Sequence, residues 1–324
     1  MRLLFAALVW AALLSHGASF AQGPNAALAH SGPVDEAREL LDTYYGDQRI
    51  LDRAANLLEQ ANRSNPRDAN NFVESARIAA MRSALSGGRP DPELFARFGA
   101  LLDQALSIDD SNVKAHLLKA EFFEYENRPD EMLRELDRAK ALGTDDPWLL
   151  VGYGKHSDAI KAYTNAHRYF SQVEKRGPGR TNSDRKAYVV ALYELSKLIV
   201  AGESLDTKLP KYAELILRER HPTDAWNVQA LAARFLGQRM FDQSVRYARE
   251  AVKTMDFGAG RLTLAAALYA HAANEVIAGR FLKEVRAQLD EAAALGFSRE
   301  QILAYLHQRS KLRDIEEMVG RMTL

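Results

Sequence analysis

Between Arg239 and Val252 the chain reads RMFDQSVRYAREAV, and Phe241, Ser244, Ala248 and Ala251 fall three, four and three residues apart. Steps of three and four keep side chains on one face of an α-helix, so the spacing predicts a helix with a narrow apolar stripe. The same spacing recurs at Leu51, Ala54, Leu58 and Ala61, at Phe95, Phe98, Leu102 and Ala105, and at Pro129, Met132, Leu136 and Ala139. It appears again at Tyr163, Ala166, Phe170 and Val173, and at Leu282, Val285, Leu289 and Ala292. The fourth place holds alanine in five of the six stripes and valine in the other. A side chain that small lets a second helix approach closely, where leucine or phenylalanine would hold it off.

Successive fourth places lie 44, 34, 34, 78 and 41 residues apart, and the long interval leaves room for one degenerate copy around LPKYAELILRERHP. A second apolar face precedes the stripes. It carries Leu231, Ala232 and Phe235 in one copy, Ala120 and Phe123 in another, and Leu41 and Tyr45 in the first. Pro66, Pro147 and Pro178 follow the stripes, where proline stops one helix and resets the next turn. The elements expected are therefore pairs of helices, repeated along the chain.

These residues resemble the tetratricopeptide repeat family, whose unit of about 34 residues is an antiparallel helix pair with small and large apolar residues at fixed places. Leu150, Gly154, Tyr163, Ala166, Phe170, Val173 and Pro178 match one copy; Ala232, Phe235, Phe241, Ser244 and Ala251 match another. The resemblance implies an all-α fold, an α-solenoid of stacked antiparallel helix pairs forming a superhelix. On this reading residues 34–296 make about seven pairs and residues 297–324 a capping segment, in which Ile302, Tyr305 and Leu306 pack back and Ser298 caps a helix with Gln301 three residues on. Three departures stand out: Asp42 occupies a place that calls for a small residue, SALSGGRPDP lengthens the second copy, and the fifth copy fits poorly.

The N-terminus changes the picture of where such an array would work. Arg2 is followed by the twelve apolar residues LLFAALVWAALL and then by SHGASFA, with Ser19 and Ala21 as the small residues before Gln22. That is the layout of a cleavable signal peptide over residues 1–21, cut after Ala21, and the apolar run is shorter than the roughly 20 residues that span a bilayer. Residues 22–33 then form a lead-in. The chain has no cysteine, so an exported protein of this sequence is not held by disulfides, which suits the periplasm or secretion from a bacterium. With 43 basic and 43 acidic residues spread along the chain, nothing concentrates the positive charge that nucleic-acid binding requires.

A search for chemistry finds little. The eight histidines form no HExxH and no i, i+4 pair, and without cysteine no metal site is expected. No GxSxG, phosphate-binding loop or GxGxxG is present, and Gly258 to Gly260 lie between helices rather than after a strand, so no cofactor is expected. Some enzymes that cleave bacterial wall glycan carry a superhelical α domain and a catalytic glutamate followed by serine, and Glu74-Ser75 and Glu203-Ser204 resemble that pair. Neither is followed by the glycine-rich and GLMQ-like segments that build the family's cleft. Lys175, Arg176, Arg180, Arg185 and Lys186 fall close together in sequence, diluted by Glu174 and Asp184.

In tetratricopeptide arrays the first helix of each pair lines a concave face. Carried over copy by copy, the resemblance places Lys114, Leu117, Glu121 and Glu124, then Trp148, Val151 and Lys155, then Trp226, Gln229 and Leu236 on that face. The expected function is a non-enzymatic interaction scaffold of the bacterial envelope that holds a peptide or partner protein in the groove. The alternative is an envelope enzyme, or an accessory of one, acting on glycan.

Overall fold

The computed structural model describes residues 32–84, 91–198, 204–275 and 278–310. The signal-peptide reading and Glu203 lie outside them. Among the described residues the chain forms helices and no strand. The first pair is α1 (Pro33–Asp42) and α2 (Gln48–Ser64), followed by α3 (Ala69–Ala84) with α4 (Pro92–Ile108) and α5 (Val113–Tyr125) with α6 (Pro129–Ala141). Then come α7 (Pro147–Ala159) with α8 (Tyr163–Arg176), α9 (Asn182–Lys197) with α10 (Leu205–Glu219), and α11 (Ala225–Gly237) with α12 (Phe241–Thr254). The last pair, α13 (Gly258–Glu275) and α14 (Ala278–Ala294), is followed by α15 (Arg299–Ser310). Odd-numbered helices are thus the first of each pair. The helices divide between two compact units, α1–α10 and α11–α15.

Local chemistry explains where these helices begin and turn. Asn112, Asp146, Thr181 and Asp224 stand before α5, α7, α9 and α11, and each side chain accepts a hydrogen bond from a first-turn backbone N–H. Such caps satisfy donors that have no partner inside the helix. Three of the turns within pairs repeat one conformation. Asn127, Lys161 and Arg239 take φ of 56°, 63° and 61°, each two residues before a second helix. The next residue's N–H closes the turn on the carbonyls of Phe123, Ser157 and Phe235 at 2.9, 2.7 and 3.0 Å, the bond pattern of a left-handed helix end.

The stripes are the buried seams. Leu51, Ala54, Leu58 and Ala61 are buried, as are Phe98, Leu102 and Ala105, then Met132, Leu136 and Ala139, then Ala166, Phe170 and Val173. In the second unit Ser244, Ala248, Ala251, Val285, Leu289 and Ala292 are buried too. Tyr163 differs: at the first residue of α8 it is 48% exposed. Small residues set the spacing within and between pairs. A methyl group on Gly154 would lie 2.5 Å from the Phe170 ring, and one on Gly99 would lie 2.7 Å from Phe122. Phe122 in turn stacks on Phe95 with ring centroids 4.9 Å apart.

In the first unit one contact joins distant pairs. Lys186 of α9 is buried, with its Nζ 3.5 Å from the Leu41 carbonyl and 3.4 Å from that of Tyr44, and 4.3 Å from the centroid of the Tyr45 ring. A cation there complements the carbonyl end of α1. Lys186 is therefore taken out of the basic stretch, and Arg176 donates to the Asp145 carbonyl at 2.9 Å.

In the second unit α15 packs on α11, α13 and α14. Ile302, Tyr305 and Leu306 are buried. Ser298 Oγ accepts from the Gln301 N–H at 3.3 Å while Gln301 Oε1 accepts from the Ser298 N–H at 2.7 Å, the reciprocal pair of a capping box.

Candidate interaction surface

Of the ten residues expected to line an open concave groove, nine are buried. Lys114, Leu117, Glu121, Trp148, Val151 and Lys155 in the first unit, and Trp226, Gln229 and Leu236 in the second, are each less than 10% exposed. Glu124 is half-buried. Their polar atoms turn to neighbouring helices. Lys155 Nζ donates to Glu124 Oε2 at 2.9 Å, and Trp148 Nε1 donates to Ser183 Oγ of α9 at 3.0 Å. Gln229 Nε2 donates to Thr263 Oγ1 at 2.6 Å and to the Tyr305 hydroxyl of α15 at 3.1 Å. The space bounded by Glu121, Trp148 and Lys155 is about 20 Å³, room for about one water molecule.

The electrostatic centre of the first unit lies between α1, α3 and α5. Glu74 accepts from Arg38 Nε at 3.0 Å, from Arg77 Nη1 at 2.6 Å and from Lys114 Nζ at 2.7 Å, while Arg77 Nη2 donates to Asp42 Oδ1 at 2.7 Å. Glu74 and Arg77 have no solvent exposure. Burial alone would raise the Glu74 carboxyl, but Lys114, Arg77 and Arg38 overcome it and hold its pKa near 2. Lys114 moves down as well, to about 8, first through burial and then through the nearby Arg77. Both directions follow from three cations gathered around Glu74: its carboxylate stays ionised, and the lysine is the cation most easily relieved of its proton. Glu121, one turn from Leu117 on α5, is pushed up to about 8 by burial, with Lys155 opposing and Glu124 adding to the shift.

This arrangement bears on the glycan-cleaving alternative. A general acid for that chemistry is a carboxyl held protonated beside a substrate cleft. Glu74 is the reverse, ionised and enclosed by three cations.

Sequence reasoning missed two features. Arg38, Asp42, Glu74 and Arg77 were a legible signal only as charges on helices otherwise rich in buried residues. A cleft of about 390 Å³ also opens between α2 and α4 with α3 as its floor, lined by Leu58, Asn71, Ile78, Leu94, Arg97 and Leu101 among others.

No known family profile matches the sequence, and no curated protein matches it. Among solved structures the chain is similar to yeast Tom70, with a TM-score of 0.58 and 12% identity, over 98% of this chain and 73% of that one. The helix pairing, the repeating left-handed turn and this likeness agree. The chain is a tetratricopeptide-repeat-like α-solenoid. A tetratricopeptide repeat protein from Parabacteroides merdae aligns over 89% of this solenoid and 98% of its own chain, at 11% identity and a TM-score of 0.49. PilF of Pseudomonas aeruginosa aligns over 70% of the solenoid and 96% of its own chain, at 17% identity and a TM-score of 0.43.

Proposed function

We propose that the solenoid is an exported, non-enzymatic scaffold of the bacterial envelope that holds a peptide or partner protein on the first-helix face of its repeats. The observation that carries this reading is the Lys155–Glu124 pair. It bridges α5 and α7 at the only half-buried position of the candidate face, with Glu124 33% exposed at its side chain. An incoming carboxylate can take Lys155 from Glu124 there without opening the buried seams formed by Leu117, Trp148 and Val151. Solenoids present extended surfaces of this kind. The signal-like segment before Gln22 supports export.

The test places a photo-cross-linking residue at Glu124 and, separately, at Leu142, an exposed position at the end of α6, in the full chain expressed in its own cell type. A single partner captured from position 124 and not from position 142 supports the first-helix face. Capture from Leu142 alone moves the contact to the repeat edge, and capture from neither position overturns the scaffold reading. Sequencing the N-terminus of the same protein tests export separately: it should begin at Gln22, and a chain retaining Met1 overturns the periplasmic or secreted reading.

A further inference from the structure

The cleft between α2 and α4 shares no lining residue with the candidate face. At about 390 Å³ it falls in the range of pockets that enclose small molecules, about 300 to 1,000 Å³. Its floor follows α3 from Phe72 to Arg82, ten residue steps that extend about 15 Å along a helix. Phe72, Ile78 and Ala79 of the floor and Leu58, Leu94 and Leu101 of the walls give the cleft an apolar strip, beside the polar Asn71, Ser75 and Arg82.

Two polar groups give the cleft a chemical preference. Asn71 is 3% exposed, and its Oδ1 has no hydrogen-bond partner among the described residues. A buried acceptor left without a donor is costly, and a ligand that supplies the donor removes that cost. Arg97 stands exposed at the rim and makes no ion pair among the described residues, whereas the other cation of the lining, Arg82, is held by Asp52 at 2.8 Å. The rim acid Glu59 is already bound by Arg63. An apolar body, a hydrogen-bond donor and a negative charge are thus called for together.

We propose that the cleft between α2 and α4 binds an amphipathic organic anion that carries an amide N–H, of the N-acyl amino acid type. The acyl chain lies along α3, the amide donates to Asn71 Oδ1, and the carboxylate meets Arg97. No bond is made or broken.

The test is calorimetric titration of the full chain with N-decanoylglycine below its micelle concentration, beside decanoate, which lacks the amide. Saturable 1:1 binding is expected. Shortening the acyl chain should weaken it by about fourfold per methylene removed from the apolar strip. Asn71→Leu should weaken N-decanoylglycine by about two- to tenfold and leave decanoate unchanged. Arg97→Gln should weaken both by about two- to fivefold, the size of a screened surface pair. Ser75→Phe, which fills the cleft from α3, should abolish binding in a protein whose melting curve stays cooperative. The proposal is overturned by the absence of saturable binding, by binding that survives Ser75→Phe in the folded protein, or by affinities indifferent to both Asn71→Leu and Arg97→Gln. That last result would leave apolar burial alone and no preference for this class of ligand.

Discussion

Lys114 Nζ lies 2.7 Å from Glu74 Oε1, joining the third helix pair to the second inside the protein. The carboxylate also holds Arg77 and Arg38, so it is the common counter-ion of the cluster. Removing one partner of a buried ion pair leaves the others uncompensated, at a cost of about 3–5 kcal/mol. Glu74→Gln should therefore lower stability by about that much in denaturant unfolding. The double variant Glu74→Gln/Lys114→Met should recover part of the loss, because it removes a cation with the anion. Additive losses would show that the two side chains do not interact.

The same carboxylate sets an acid limit. Its folded pKa, near 2, lies below the ordinary value of 4.5, so its contribution to stability is complete above pH 4.5 and is lost as pH falls from there towards 2. Wild-type melting temperatures should drop through that window, and Glu74→Gln should flatten the drop. An equally steep fall in the variant would assign acid sensitivity to other groups.

Glu121 works in the opposite sense. Its carboxyl ionises near pH 4.5 in the unfolded chain but near 8 in the folded one. Folding must then retain a proton that solution favours releasing, so its effect on stability worsens as pH rises from 4.5 to 8 and is constant above. Glu121→Gln removes that dependence. Its advantage over wild type should be small at pH 4.5 and grow to about 5 kcal/mol by pH 8. An advantage that does not change with pH would point to packing.

At Gly154, alanine would bring its methyl 2.5 Å from the Phe170 ring. Overpacking costs about 1–3 kcal/mol, and alanine's better helix propensity returns about 1. A net loss of up to about 2 kcal/mol is expected for Gly154→Ala by chemical denaturation. The exposed Gly237, where a methyl meets nothing within 4 Å, is the control. There alanine should be neutral or stabilising.

The turns offer a gain. Lys161 and Arg239 adopt a left-handed backbone that glycine takes without steric cost, whereas Asn127 already suits it. Lys161→Gly and Arg239→Gly should each raise stability by about 0.5–1 kcal/mol, with Asn127→Gly close to neutral. Thermal unfolding of the three variants separates these outcomes, and a loss at Lys161 would show that its side chain holds the turn.

The stripe spacing made the helix pairs legible because packing between antiparallel helices depends on residue size at fixed intervals, and Ala105, Ala139 and Ala251 occupy those places with no exposed surface. Asp42 shows the limit. As a departure from the repeat it carried no meaning in the sequence, since its explanation is Arg77, 35 residues away. The candidate residues were legible as first-helix positions and not in their burial. Trp148 reaches Ser183 and Lys155 reaches Glu124 across neighbouring helices, and how closely successive pairs stack depends on several pairs at once. The cleft over α3 was hidden for the same reason, since its walls come from α2 and α4, each unremarkable by itself.

A stack in which each repeat touches only its neighbours can lose structure from either end, one unit at a time. The reach of Lys186 to the carbonyls of Leu41 and Tyr44, more than 140 residues back along the chain, ties the fifth pair to the first. The first helix therefore cannot fray without releasing a buried lysine in the ninth, and the five pairs are coupled to melt together rather than unzip. Hydrogen exchange should show the amides of α1 and α9 opening in step, as though the array had no end on that side.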